Sequence, residues 1–168
     1  MSAKSSSKSI NFLSLLLGIL LVIIRSITVS IHKSPYDMIH KLDQNGIIPP
    51  VWIINLCLGI LFFSLGYAAG IIICECSSGK GHNNAVYAYK GGMYFAITIF
   101  TLTAHYSLFF IFEKLLISLI TAIITVTSSI ICAFAWGRIS TPPTLIMSVC
   151  AVFSSYLALI NLLIMIIN

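Results

Sequence analysis

Two ionisable residues lie inside long apolar runs of the sequence. Arg25 lies late in the first run, and His105 lies late in the third, beside Tyr106 and near Phe109. An ionisable group at membrane depth is costly unless it is paired, hydrated or able to reach the interface, so it often marks a functional site. Arg25 could bind a ligand carboxylate or extend to the membrane surface. His105 could hydrogen-bond a neighbouring helix, donate to a carboxylate, or approach a porphyrin metal.

Other chemistry-bearing patterns are weak. The segment CECSSGKGH contains Cys74, Cys76 and His82, but a C-x-C pair with a distant histidine and no second pair is a poor match to metal-site spacing. No Ser-His-Asp set, phosphate-binding loop or pair of carboxylates occurs within the apolar runs, and Glu75 and Glu113 both fall in polar loops. We therefore expect no metal site, no catalytic residues and no enzymatic activity.

The composition is that of a membrane protein. Hydrophobic residues make up 59% of the 168 residues and charged residues only 8%, and the mean hydropathy is +1.07. A soluble domain of this size cannot hide so much apolar surface from water. The net charge of +5 is scattered rather than clustered, so nothing indicates a nucleic-acid partner. The expected partner for most of the chain is the lipid bilayer.

Five apolar runs are long enough to cross a bilayer as helices, which needs about 20 residues each. Because the runs are continuous rather than alternating, helices are favoured over strands. The predicted fold class is an all-α integral membrane protein, in which residues 1–168 form a single domain, a five-transmembrane-helix bundle. The predicted helices are 10–31, 51–74, 91–112, 115–136 and 143–167.

The loops and charges indicate how these helices cross the membrane. The connections FEK and GRISTPP are so short that helices three, four and five must be antiparallel neighbours. The first run has the basic start of a signal peptide, but Arg25 stands where a small-residue cleavage site would be, which favours a retained helix. The side of the membrane that holds the N-terminus carries more lysines and arginines than the other side, which favours a cytoplasmic N-terminus. The basic residues on that side are Lys4, Lys8, Lys80, Lys90 and Arg138.

Small and weakly polar residues recur at helical spacing on four of the runs. Interfaces between membrane helices favour such residues, so these faces should point into the bundle or across a dimer seam. The second helix carries a GxxxG motif at Gly66 and Gly70. The fourth carries a stripe of Ser118, Thr121, Thr125, Ser128 and Cys132.

Several stretches resemble the TspO/MBR family of tryptophan-rich sensory proteins and translocator proteins. The family's second helix reads roughly PPxWxxGPVWxxLYxxMGxA, and matching residues here are Pro49, Pro50, Trp52, Leu61, Phe62, Leu65, Gly66 and Ala68. The segment LTAHYSLFF resembles NxxWSPxFF, and Trp136 with Ser140 resembles WxxVS. The last helix keeps Asn161 and Asn168 at the family's separation. The chain would be a divergent member poor in tryptophan, since Leu58, His105, Phe153 and Met165 stand at tryptophan positions.

The resemblance implies a membrane receptor or carrier-like protein that binds a tetrapyrrole, such as a porphyrin or haem, or a similar apolar small molecule. Its cavity would lie between the helices and open toward the long first loop. No obligatory cofactor is implied, and the loss of most indoles argues against porphyrin breakdown. The implied ligand-binding residues are Arg25, Trp52, Phe62, His105, Phe109, Trp136, Phe153, Leu157, Ile160 and Asn161.

The resemblance also implies a homodimer. The divergence from the family's motifs, with no transit peptide evident, suggests a multi-pass protein of a prokaryotic cell membrane. The alternative function is a transport or assembly subunit, whose small-residue stripes would dock against a larger membrane complex.

Overall fold

The structure is a computed structural model that describes residues 3–30, 49–77, 82–110, 112 and 114–167. Within these ranges the chain forms five helices and no strand, which confirms the predicted all-α class and the predicted number of helices. The helices are α1 (Ala3–Ser30), α2 (Val51–Ser77), α3 (His82–Phe110), α4 (Leu115–Trp136) and α5 (Thr141–Ile167).

The described helices differ in how clearly their length and apolar character match what a bilayer requires. Three spans stand out by length and hydropathy, Trp52–Ser77, Leu115–Trp136 and Thr141–Ile166, and a shorter apolar stretch of α1 covers Phe12–Ile27. The remaining helix, α3, is 29 residues long and is more polar in its first turns. The protein is therefore a multi-pass integral membrane protein.

Two helices begin earlier than the apolar runs predict. α1 begins at Ala3 rather than at residue 10, and α3 begins at His82 rather than at residue 91. Hydropathy marks the part of a helix that lies in hydrocarbon, whereas the helix itself can extend through the interface with polar residues. The first nine residues of α3, HNNAVYAYK, are such an extension.

Prolines and tight turns set the helix ends. Pro49 and Pro50 precede α2, and the Pro50 carbonyl accepts the first helical hydrogen bond from the Ile53 N–H at 2.9 Å. A proline costs little there because the first N–H groups of a helix have no partner within the helix. Between α4 and α5, the Trp136 carbonyl accepts from Ile139 at 2.9 Å and from Ser140 at 3.0 Å.

The GxxxG motif of α2 packs against α1 of the same chain. A methyl group added at Gly66 would overlap the backbone of Leu17 and Gly18, and one added at Gly70 would overlap Ser14. Only glycine allows the two backbones to approach so closely. The sequence left open whether this motif packs within the bundle or across a dimer seam, and the structure shows packing within the bundle.

The hydroxyl stripe of α4 packs against α3. Thr98 and Ser128 share a hydrogen bond of 2.9 Å, and the Thr125 hydroxyl donates to Thr101 at 2.8 Å. All four residues are buried. In lipid such interhelical hydrogen bonds and close packing hold helices together, because burial of apolar surface gives no net attraction there.

The remaining contacts assemble the bundle. α4 packs against α5 on its other side, and α2 makes smaller contacts with both α5 and α3. The apolar core forms where α2 meets the other helices, around Leu58, Leu65 and Phe62. Because successive helices alternate in direction, α1, α3 and α5 end where α2 and α4 begin. We refer to this end of the bundle as the loop-1 end.

Candidate ligand-binding site at the loop-1 end

Polar side chains from all five helices lie at the loop-1 end. The alternating helix directions bring late residues of α1, α3 and α5 beside early residues of α2 and α4. Hydroxyl side chains also occur elsewhere in the spans, but the arginine, histidine and asparagine side chains are the costly ones, and their gathering at one end marks that end as the candidate site. They are Arg25 of α1, Asn55 of α2, His105 and Tyr106 of α3, Ser118 of α4 and Asn161 of α5.

Arg25 is held by two neutral groups. Its Nη2 donates to the side-chain oxygen of Asn55 at 2.8 Å, and the same oxygen accepts from the Tyr106 hydroxyl at 3.1 Å. The guanidinium carbon lies 5.9 Å from the centroid of the Tyr106 ring, within the range of a cation–π interaction. Gly59, one turn further along α2, lies beside the guanidinium, and a methyl group there would make an ordinary contact with Nη1 at 3.6 Å.

No carboxylate within the described residues pairs with Arg25. The side chain is partly buried, and its contacts with the amide oxygen and the aromatic face stabilise the cation without neutralising it. A guanidinium in this state can still bind a carboxylate through two parallel hydrogen bonds. Among the described residues, its observed partners are thus an amide oxygen and an aromatic ring.

His105 is anchored to α4 through one ring nitrogen. Its Nδ1 lies 2.9 Å from the Ser118 carbonyl oxygen and 2.9 Å from the Ser118 hydroxyl. Either Nδ1–H donates to the carbonyl, which leaves Nε2 as an acceptor, or the hydroxyl donates to Nδ1, which leaves Nε2–H as a donor. In both tautomers Nε2 is the ring nitrogen that Ser118 does not contact, and the side chain is only 3% exposed. The ring also stacks on Phe109, with 5.9 Å between centroids.

Asn161 is fully buried, and only one of its two polar side-chain atoms has a hydrogen-bond partner. Its Nδ2 donates to the Leu115 carbonyl at 3.2 Å, whereas its Oδ1 has no hydrogen-bond partner. Leaving a buried acceptor unpaired costs about 1–3 kcal/mol. Because Leu115 lies one turn before Ser118, Asn161 and His105 are fixed to the same first turn of α4.

The apolar residues expected at the site are largely buried. Phe62 and Phe109 are each 3% exposed, Ile160 is 4% exposed and Leu157 is 6% exposed. Phe153 is partly buried and lines a recess of about 340 Å³ between α2 and α5, together with Cys57, Leu61, Leu145, Val149 and other residues. The apolar residues thus lie in the bundle's helix interfaces, with the polar cluster at its loop-1 end.

The two tryptophans lie at opposite ends of the bundle. Trp52 is in the first turn of α2, at the loop-1 end, and is 63% exposed. Trp136 is the last residue of α4, at the other end, roughly 27 Å along the helix from Ser118 at 1.5 Å per residue. It is 2% exposed and packs 5.1 Å from the ring centroid of Phe95. The structure therefore does not bring Trp136 together with His105 and Arg25.

Sequence reasoning did not select Asn55 or Tyr106 as site residues. Asn55 carried a usable signal, since an amide side chain interrupts an otherwise apolar run one turn after Trp52. Tyr106 carried little, because tyrosines are common near membrane interfaces.

The comparison with protein families agrees with this architecture. The sequence model of the TspO/MBR family matches residues 12–167, nearly the whole chain. The chain belongs to the TspO/MBR family. No curated protein and no solved structure matches the chain. Members of this family are membrane sensory or binding proteins. Within the described residues, no cluster of three or more potential metal ligands is found.

Proposed function

We propose that the protein is a non-enzymatic membrane receptor or carrier-like protein that binds a tetrapyrrole, such as a porphyrin or haem, or a similar apolar ligand at the loop-1 end. The observation that carries the proposal is Arg25. Its guanidinium lies partly buried at the edge of the bundle, held by Asn55 and Tyr106 without a carboxylate from the described residues. A planar apolar ligand with peripheral carboxylates can pair with this guanidinium.

The other groups of the site support the same ligand class. Phe109, which is 3% exposed, stacks on His105, so an aromatic pair lies at this end, and aromatic rings pack well against a flat ring system. The Nε2 atom of His105 and the unpaired Oδ1 of Asn161 are polar atoms that a ligand could satisfy. A few such groups among apolar walls are typical of a small-molecule site.

The test separates the carboxylate from the ring system. Purified protein in detergent is titrated with protoporphyrin IX and with its dimethyl ester, which has the same ring but no carboxylates. Arg25→Gln should weaken binding of the free acid about tenfold or more, since a charge-assisted hydrogen bond contributes about 1.5–3 kcal/mol. It should leave binding of the ester nearly unchanged. Arg138→Gln, which removes the matched cation at the opposite end, should affect neither.

Equal weakening of both ligands by Arg25→Gln would point to structural damage, and no weakening of either would remove the basis of the proposal. The two tryptophans provide a second measurement. In the variants Trp136→Phe and Trp52→Phe, each with one remaining tryptophan, bound porphyrin should quench Trp52 more strongly than Trp136, because energy transfer falls steeply with distance. Stronger quenching of Trp136 would place the ligand at the end opposite loop 1 and would contradict the proposal.

The alternative, a transport or assembly subunit of a larger complex, rests on small-residue stripes free to dock against a partner. The stripes at Gly66 and at Thr125 are covered by α1 and α3 of the same chain, which favours the receptor proposal. A homodimer, which we retain in the proposal, would need a lipid-facing surface other than the GxxxG face. A prokaryotic cell membrane remains the proposed location.

A further inference from the structure

A large groove lies on the outer face of the bundle between α4 and α5, toward the end opposite loop 1. Its volume is about 700 Å³. Ala133 and Ala151 are buried beneath it, whereas Phe134 and Val152 stand exposed at its sides. Small residues below and large residues beside them produce an elongated trough rather than a flat helix surface. The lining residues are Ile130, Ala133, Phe134, Gly137, Arg138, Thr144, Ser148, Ala151, Val152 and Ser155.

The dimensions of this α4–α5 groove match one leaflet of a bilayer. On α5 it extends from Thr144 to Ser155, roughly 16 Å at 1.5 Å per residue. Half of a hydrocarbon core of about 30 Å is about 15 Å. An acyl chain lying in the groove would therefore run from the membrane surface to the bilayer centre.

A cation stands at the surface end of the groove. Arg138 lies in the turn between α4 and α5, and its guanidinium carbon is 5.1 Å from the ring centroid of Tyr87. It forms no ion pair with any residue in the described part of the chain. Arg138 is exposed, and an exposed guanidinium at the membrane surface can bind a phosphate group bidentately.

The charge of this end favours an anionic lipid. The sequence puts five basic residues on the side of the membrane where α1 begins and the α4–α5 turn lies, namely Lys4, Lys8, Lys80, Lys90 and Arg138. The positive-inside rule favours a cytoplasmic location for that side, and the cytoplasmic leaflet carries anionic lipids that attract basic residues.

We propose that the α4–α5 groove is a binding site for a diacyl phospholipid with an anionic headgroup. The lipid phosphate binds Arg138, and one acyl chain lies along the small residues between Phe134 and Val152. This site is separate from the loop-1 end, so it can be occupied whether or not the proposed tetrapyrrole is bound.

The experiment measures which lipid the protein retains. Delipidated protein in detergent is mixed with equal amounts of phosphatidylglycerol and phosphatidylcholine with identical acyl chains, and native mass spectrometry counts the bound lipids. The protein should retain phosphatidylglycerol preferentially. Arg138→Gln should reduce that preference about fivefold, the effect of one basic residue at an anionic surface. Ser148→Phe, which fills the groove from its exposed side, should reduce retention of both lipids.

Lys90→Gln is the matched control, since Lys90 is an exposed cation at the same end that does not line the groove. An equal loss from Lys90→Gln and Arg138→Gln would reveal general surface charge and overturn the site. Equal retention of the two lipids, or retention unchanged by Ser148→Phe, would overturn it as well. Should Ser148→Phe fail to fold, Ser155→Phe fills the deeper end instead.

A final arm distinguishes a lipid from a free anion. Inorganic phosphate and glycerol phosphate, added at increasing concentration, should not displace phosphatidylglycerol, because neither can occupy the apolar part of the groove. Complete displacement by either compound would show a phosphate site that does not use the groove, and the proposal would fail.

Discussion

Replacing Gly91 with alanine tests the packing of α3 against the end of α4. A methyl group added at Gly91 would overlap the Cδ1 and Nε1 atoms of the Trp136 indole. The indole cannot easily move aside, because it is 2% exposed and packs against the ring of Phe95. The next residue, Gly92, has no atom within 4 Å of the position that a methyl group would take.

The two glycines form a matched pair from which the cost of the overlap can be calculated. Both lie inside α3, where alanine is favoured over glycine by about 1 kcal/mol. Gly92→Ala should therefore raise the free energy of unfolding by about that amount. Gly91→Ala has the same gain but adds an overpacking cost of about 1–3 kcal/mol. The overlap alone should thus separate the two variants by about 1–3 kcal/mol.

Thermal unfolding of the purified protein in detergent measures this difference. At roughly 2–4 °C per kcal/mol for a chain of this size, Gly91→Ala should have a Tm about 2–12 °C below that of Gly92→Ala. Trp136→Phe, which removes the five-membered ring that the methyl group meets, should restore part of the loss. Equal Tm values for the two alanine variants would refute the close contact between Gly91 and Trp136.

Three further predictions concern the helix interfaces and the site. A double-mutant cycle with Thr101→Val and Thr125→Val should show a coupling energy of about 0.6 kcal/mol in unfolding free energy, and a coupling of zero would exclude the interhelical hydrogen bond. Gly66→Ala should lower the Tm clearly because its methyl group meets backbone, whereas Gly59→Ala should be tolerated; equal Tm values would contradict the α1–α2 contact. Asn161→Leu removes an unpaired buried acceptor together with one hydrogen bond, so stability should change by only about 1 kcal/mol while protoporphyrin titration shows weaker binding. Unchanged affinity would exclude Asn161 from the site.

The membrane helices were predictable because lipid imposes a simple rule on the sequence. A helix buried in hydrocarbon must be apolar over about 20 residues, and short connections such as residues 112–114 force neighbours to be antiparallel. The polar beginnings of α1 and α3 were not predictable in this way. Residues 82–90 lie outside the strongly apolar run, and water and headgroups tolerate polar residues on a helix as readily as on a loop.

The candidate site was predictable in part. Arg25, His105 and Asn161 stand out by type, because polar and ionisable side chains are costly in apolar spans. Their partners do not stand out. That Arg25 meets Asn55, and that His105 meets the first turn of α4, depends on how each helix is rotated about its axis, and rotation follows from packing against all neighbours at once.

By itself the sequence determined the lipid solvent, the five spans and their alternating directions, since these follow from composition and from the lengths of runs and loops. Those directions already imply that Trp136, at the end of α4, lies away from His105. Only the tertiary structure decided that the GxxxG face of α2 packs against α1 within the chain and that Arg25 binds neutral partners. The physical reason is that hydropathy is a property of single residues, whereas close packing and hydrogen bonding between helices are properties of pairs that the chain brings together only when folded.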